Sequence, residues 1–105
     1  MQFQGITGNP GVAQGKVCVV HNENEFDHCE EGDIVLVVGV KPPAPLVKKA
    51  DAILAIHGSI TSHAAITARE NQKPAVVGLK EEVLEYLQNG DVVSVDANAG
   101  TVTKM

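Results

Sequence analysis

Aromatic side chains are almost missing from this chain. There is no Trp, one Tyr and two Phe among 105 residues, a share of 3%. That scarcity excludes a small β-domain organised around an aromatic core, so Val, Ala, Ile and Leu must fill the interior. With an apolar share of 44%, the composition favours helices layered on β-branched strands in one compact domain. No apolar run is long enough to cross a bilayer. Positive charge is also short: 8 Lys and Arg stand against 13 Asp and Glu, a net charge of −5. No basic stripe interleaved with aromatics exists, which argues against nucleic acid as a partner. It also argues against a polyanionic substrate held by this domain alone. The acidic stretch ENEFDHCEEGD, Glu23 to Asp33, reads as a solvated loop face. Cysteine is limited to Cys18 and Cys29, which form neither a CxxC pair nor a dense framework. With no leader-like segment, this pattern points to a cytoplasmic protein with reduced thiols, Cys18 lying in the core.

The segments present alternate between strand and helix signals. Gly5 to Gly15 (GITGNPGVAQG) reads as a glycine-rich loop, and KVCVV, Lys16 to Val20, as a strand. DIVLVV, Asp33 to Val38, is apolar enough for a strand covered on both faces. KPPAP, Lys41 to Pro45, breaks regular structure, and a short helical piece follows at Leu46 to Ala50. AILAI, Ala52 to Ile56, is a buried strand, Thr61 to Glu70 a helix, and AVV, Ala75 to Val77, a strand closed by Gly78. Lys80 to Gln88 reads as a second helix with Val83, Leu84 and Leu87 on one face, ended by a left-handed cap at Asn89-Gly90. Asp91 to Asp96 and Thr101 to Thr103 form a closing hairpin around a turn at Asn98 to Gly100. Ala52 to Val77 is therefore a βαβ unit with parallel strands, in which ligands gather on the loop leaving the first strand.

His63 falls on that loop, in GSITSHAAITARE. Thr61 or Ser62 can cap the helix. The first backbone N–H groups then point outward with the partial positive charge of a helix start. Such a tip receives anions, phosphoryl groups above all, and presents the ring as uncharged, nucleophilic imidazole. A histidine so placed can accept a phosphoryl group covalently. Gly58 allows a sharp exit from the strand, Ala64 and Ala65 leave room for an approaching surface, and the hydroxyls of Thr61 and Ser62 can serve phosphoryl oxygens. Arg69 lies two helical turns away and reads as a loop brace or partner contact.

The run TSHAAITARENQKPAVVG, Thr61 to Gly78, resembles the phosphohistidine motif in the mobile domain of phosphoenolpyruvate-utilising enzymes. That family includes phosphoenolpyruvate synthase, pyruvate phosphate dikinase and enzyme I of the sugar phosphotransferase system. GITGNPGVAQGKV, EEGDIVLV, LVKKADAIL and NGDVVSVDANAGTV resemble its flanking segments, so the likeness covers nearly the whole chain. The resemblance implies an α/β fold, the swivelling β/β/α three-layer domain. It makes residues 1–105 one mobile domain that is part of, or excised from, a larger phosphotransferase of the synthase or dikinase type. It implies that His63 is phosphorylated, on Nε2, and that Gly58, Ser59, Thr61, Ser62 and Ala64 surround the phosphoryl group. It also implies that Thr61 is a site of regulatory phosphorylation. The partners would be a nucleotide-binding domain and a barrel binding phosphoenolpyruvate or pyruvate. Mg²⁺, ATP and phosphoenolpyruvate would sit there, and this domain would hold neither cofactor nor metal.

Several positions depart from the family pattern. Ser59 replaces the second Gly of a Gly-Gly pair, Ile56-His57 replaces Asp-Arg, and Val40-Lys41-Pro42 replaces Thr-Thr-Pro. GNPGVAQGK does not match a phosphate-binding GxxxxGK[ST] loop, because Val17 follows Lys16. Three other readings of the same residues are a packing module like the extra C-terminal domain of some pyruvate kinases, a metal site from His57, His63 and His28-Cys29, and a Ser62–His63 pair. The last is poor, because sequence neighbours at a helix start diverge.

Overall fold

The structure, a computed structural model, describes residues 1–105. Its strands and helices run in the order β1 (Gln2–Gln4), β2 (Ile6–Asn9), β3 (Val12–Val20), β4 (Ile34–Val38), α1 (Ala44–Lys49), β5 (Ala52–Ile56), α2 (His63–Glu70), β6 (Ala75–Leu79), β7 (Val92–Asp96) and β8 (Thr101–Lys104). Short 3₁₀ turns occupy Glu23–His28 and Glu81–Glu85. β3 is the joint of the molecule. Its first half, Val12 to Lys16, pairs antiparallel with β7, which continues through β8 to β1. Its second half, Val17 to Val20, pairs parallel with β4, and β5 and β6 come next, with β2 antiparallel on the far edge.

Strand periodicity divides the interior into two cores. Side chains alternate between faces along a strand. Val17, Val19, Ile34, Leu36, Leu54 and Ile56 thus pack between the sheet portions, with Val93, Val95 and Val102 opposite. Cys18, Val20, Val35, Val37, Ile53 and Ala55 face the helices, meeting Leu46, Val47, Ala64, Ala65 and Ala68. The result is the three-layer β/β/α arrangement that the family resemblance implies. Each fully buried Val, Leu or Ile contributes about 1.5–3 kcal/mol of transfer free energy. The continuous apolar runs DIVLVV and AILAI are covered on both faces as expected, and β5 and β6 are parallel.

Three segments differ from expectation. Gly5 to Gly15 is mostly strand rather than loop, because its glycines serve close packing. A Cβ on Gly5 would lie 2.6 Å from Val76 Cγ1, and one on Gly15 would lie 2.7 Å from the Gly32 carbonyl. Lys80 to Gln88 forms only a 3₁₀ turn, with Val83 N donating to Lys80 O and Tyr86 N to Val83 O. Val83 and Leu87 both enter the inter-sheet core, and Asn89 Oδ1 accepts from Val19 N at 2.6 Å just beyond them. β6 also runs past Gly78 to Leu79.

The thiols differ as well. Cys18 is buried, as expected, but it is bonded to Cys29, and no free cysteine remains. The acidic loop folds back through its 3₁₀ turn and brings the two Cα atoms to 5.6 Å, within disulfide range. No helix is long and apolar enough to cross a membrane.

Reducing the Cys18–Cys29 bond should lower stability by about 3 kcal/mol, the chain-entropy value for a loop of this length. The urea midpoint with and without reductant measures it, and coincident midpoints would refute it. A second expectation concerns acid. Asp91 accepts from Gln88 N at 2.9 Å and faces Lys104 Nζ at 3.4 Å, and these contacts hold its carboxyl below the usual value. A depressed folded value stabilises the fold above the unfolded value, and that contribution disappears as pH falls through the lowered one. Asp91→Asn should therefore flatten the acid limb of a stability–pH curve, and an acid limb as steep as that of the wild type would refute it.

Candidate active site

The site begins where β5 ends. Ala52 to Ile56 are all buried, and the next two residues turn the chain outward in the left-handed region, His57 at φ 63° and Gly58 at φ 93°. His57 is tied on both sides of its peptide unit. Its N–H donates to Leu79 O at 2.7 Å, and its carbonyl accepts from Gly78 N at 2.7 Å. Its Nε2 lies 3.2 Å from Glu81 Oε1, but both side chains are about three-quarters exposed, at 70% and 74%, so the pair contributes little. Gly58 is constrained by its backbone conformation, and a Cβ there would also press on Ser62 Oγ at 3.2 Å.

The loop Ser59 to Ser62 then closes on itself. Ser62 N and Ser62 Oγ both donate to Ser59 O, at 3.0 and 2.8 Å. Ser59 Oγ and Thr61 Oγ1 are 3.0 Å apart, and Thr61 N donates to Ser59 Oγ at 3.3 Å. Ser62 occupies the N-cap position of α2, yet its hydroxyl makes no capping bond. Neither does Thr61, whose hydroxyl is engaged with Ser59. The N–H groups of His63, Ala64 and Ala65 consequently find no acceptor in the chain, while Ile66 N bonds Ser62 O. The three hydroxyls are thus engaged within the loop, and the start of α2 is left without a side-chain cap.

His63 opens α2 and is exposed, while Ala64 and Ala65 behind it are buried. Its Nε2 lies 3.2 Å from the carbonyl of Pro42. A carbonyl only accepts, so Nε2 is the donor in this contact, and in the neutral ring the lone pair then lies on Nδ1. The proline run read as a simple breaker thus supplies the contact that orients the ring. Nothing in the sequence signalled that contact, since Pro42 keeps the proline of the family's Thr-Thr-Pro. Arg69 proves to be the loop brace: Nε and Nη2 donate to Gly8 O at 3.3 and 2.9 Å, and Nη2 also reaches Ile60 O at 2.8 Å. Beside His63 lies a cleft of about 200 Å³, lined by Lys41, His57, Gly58 and Ser62 among others. A larger cavity, about 620 Å³, is lined by Lys16, His28, Glu30, Asp33 and Asn89 and shares no residue with the His63 loop. The metal alternative loses its thiolate, because Cys29 is bonded to Cys18.

The family described as "PEP-utilising enzyme, mobile domain" matches residues 30–100. The phosphoenolpyruvate synthase of Pyrococcus furiosus is 40% identical over 103 residues, covering 97% of this chain and 12% of that protein. The chain thus spans about an eighth of that relative's length. A solution structure of an Enzyme I (nEIt) protein superposes with a TM-score of 0.62 at 33% identity, covering 75% of this chain and 33% of the other. Aconitase X of Thermococcus kodakaraensis shares the fold alone, with a TM-score of 0.67 at 22% identity over 100% of this chain and 98% of that one.

Arg69→Ala should destabilise the protein by about 1–2 kcal/mol, since it strips charged donors from two carbonyls. Amide exchange across Ile60 to Ser62 should accelerate with it. Arg69→Lys should restore little, because one ammonium cannot reproduce the planar fork. Unchanged exchange in Arg69→Ala would show that the loop holds its shape without this side chain.

Proposed function

The chain belongs to the mobile-domain family of phosphoenolpyruvate-utilising enzymes, and from that premise we propose that His63 is its phosphoryl carrier. The supporting observation is an exposed imidazole on the first residue of a helix whose leading N–H groups have no acceptor. A ring nitrogen attacks phosphorus with its lone pair. The bond from phosphorus to the donor's bridging oxygen breaks, and its electrons leave on that oxygen. The transfer reverses when an acceptor oxygen attacks the phosphohistidine.

The family resemblance names Nε2 as the nucleophile. Here Nε2 donates to Pro42 O, so attack through it requires the ring to leave that carbonyl and the proton to pass to Nδ1. Ile60 and Ile66, three residues before and after His63 in the chain, are exposed and offer apolar contact to a docking domain.

The isolated domain is a carrier rather than a complete catalyst. A helix start stabilises an anion by about 0.3–1 kcal/mol, or about 2 when partly buried. Enzymatic acceleration needs about 8 kcal/mol or more. No carboxylate lines the His63 cleft, so it offers Mg²⁺ no suitable ligand. Metal, nucleotide and phosphoenolpyruvate are therefore assigned to partner domains, as in a pyruvate, water or pyruvate, phosphate dikinase, with the carrier moving between them.

The test supplies partner domains of a related synthase, phosphoenolpyruvate and Mg²⁺. The expected outcome is one phosphate per chain, labile in acid and stable in base, lost entirely in His63→Ala. A label that survives His63→Ala would show that another residue carries it. No label, where a related mobile domain is labelled in parallel, would favour the packing-module reading.

A further inference from the structure

The cleft beside His63 has a charge pattern that the phosphohistidine reading does not by itself require. The chain carries 13 carboxylates against 8 Lys and Arg, yet none of the carboxylates lines this cleft. Of the groups that can bear positive charge, Lys41 and His57 line it besides His63 itself. His57 already has a carboxylate beside it, Glu81 Oε1 at 3.2 Å from its Nε2, although that contact is exposed and weak. Arg69 is committed to the carbonyls of Gly8 and Ile60. Lys41 is exposed and makes neither an ion pair nor a side-chain hydrogen bond. Its chain neighbour, Pro42, is the residue whose carbonyl holds His63 Nε2 at 3.2 Å. The uncommitted ammonium and the ring are thus anchored to the same turn of chain.

Building on the phosphohistidine reading, we propose that Lys41 is a phosphoryl-binding residue, its ammonium pairing with the oxygens of a phosphoryl group on His63. The four-carbon stem is flexible and its head is a compact point charge, suited to a group that comes and goes. The ammonium neutralises part of the phosphoryl charge from within the carrier itself, before any partner docks. Being exposed, the pair is screened by salt, and its effect is modest.

Phosphoramidate is the probe, because it needs no partner domain. A ring nitrogen attacks its phosphorus, the P–N bond breaks, and ammonia leaves with the bonding electrons and a proton. His21, His28 and His57 are exposed too, so the His63 signal is assigned by its disappearance in His63→Ala. The readout is the pH titration of that phosphorus-31 resonance. A nearby ammonium favours the dianion. The phosphoryl acid constant should therefore be roughly two- to fivefold larger in the wild type than in Lys41→Gln, the range for an exposed pair. Lys41→Arg should keep the wild-type value, and high salt should erase the difference. Equal constants in wild type and Lys41→Gln would overturn the role of Lys41 and leave the phosphohistidine intact. Absence of any His63 signal would overturn the phosphohistidine reading and this inference with it.

Discussion

The exit from β5 is the constraint on which the site depends. A strand buried over its whole length must release the chain to solvent within one step, and His57 and Gly58 do so in consecutive left-handed conformations. For Gly58 that conformation is nearly free. For His57 it costs about 1–2 kcal/mol. The two backbone hydrogen bonds from His57 to the end of β6 hold it there. Gly78 lies opposite, itself at φ 69°, so that β5 and β6 leave their regular ladder together. Without that paired departure, Ser59 to Ser62 would have no fixed starting point, and α2 would not begin at the sheet's upper edge.

That exit brings with it a division of labour among polar groups. The hydroxyls of Ser59, Thr61 and Ser62 satisfy one another and the loop backbone. Arg69 reaches back along α2 to tie the loop to β2 through Gly8. Because these groups are occupied locally, the helix start keeps unpaired N–H groups beside an exposed imidazole. A capped helix would be better satisfied alone and less receptive to an anion.

The layered frame explains why this site can be both well defined in its geometry and poor in catalytic equipment. β3 belongs to two sheet portions, so the core between them and the core beneath the helices are mechanically continuous. α2 packs on that frame through small residues, Ala64, Ala65 and Ala68, which seat it close to the sheet. The frame carries no chemistry of its own, and the same three-layer arrangement serves proteins of different function.

Much of this was legible in the sequence. The continuous apolar runs identify β4 and β5 because a strand covered on both faces leaves no room for polar alternation. The resemblance of Thr61 to Gly78 to a phosphohistidine motif identifies His63, since local spacing alone places it at a helix start. The distance of Arg69 along the helix suggested a loop brace or a partner contact, and only the packing against Gly8 and Ile60 distinguished them. Other features depend on contacts between segments far apart in the chain, which no local pattern records. Gly5 and Gly15 look like loop glycines until the strands they press against are known. Cys18 and Cys29 look unpaired until the acidic loop folds back. The Lys80 to Gln88 pattern gives way to a 3₁₀ turn because Val83 and Leu87 answer to a distant core. Local sequence placed His63 at a helix start, and the resemblance to a phosphohistidine motif is what singled it out as the candidate carrier. Only tertiary packing decided that Pro42 would touch its ring and Lys41 would stand beside it, because that proximity arises from bringing two loops together at one end of a sheet.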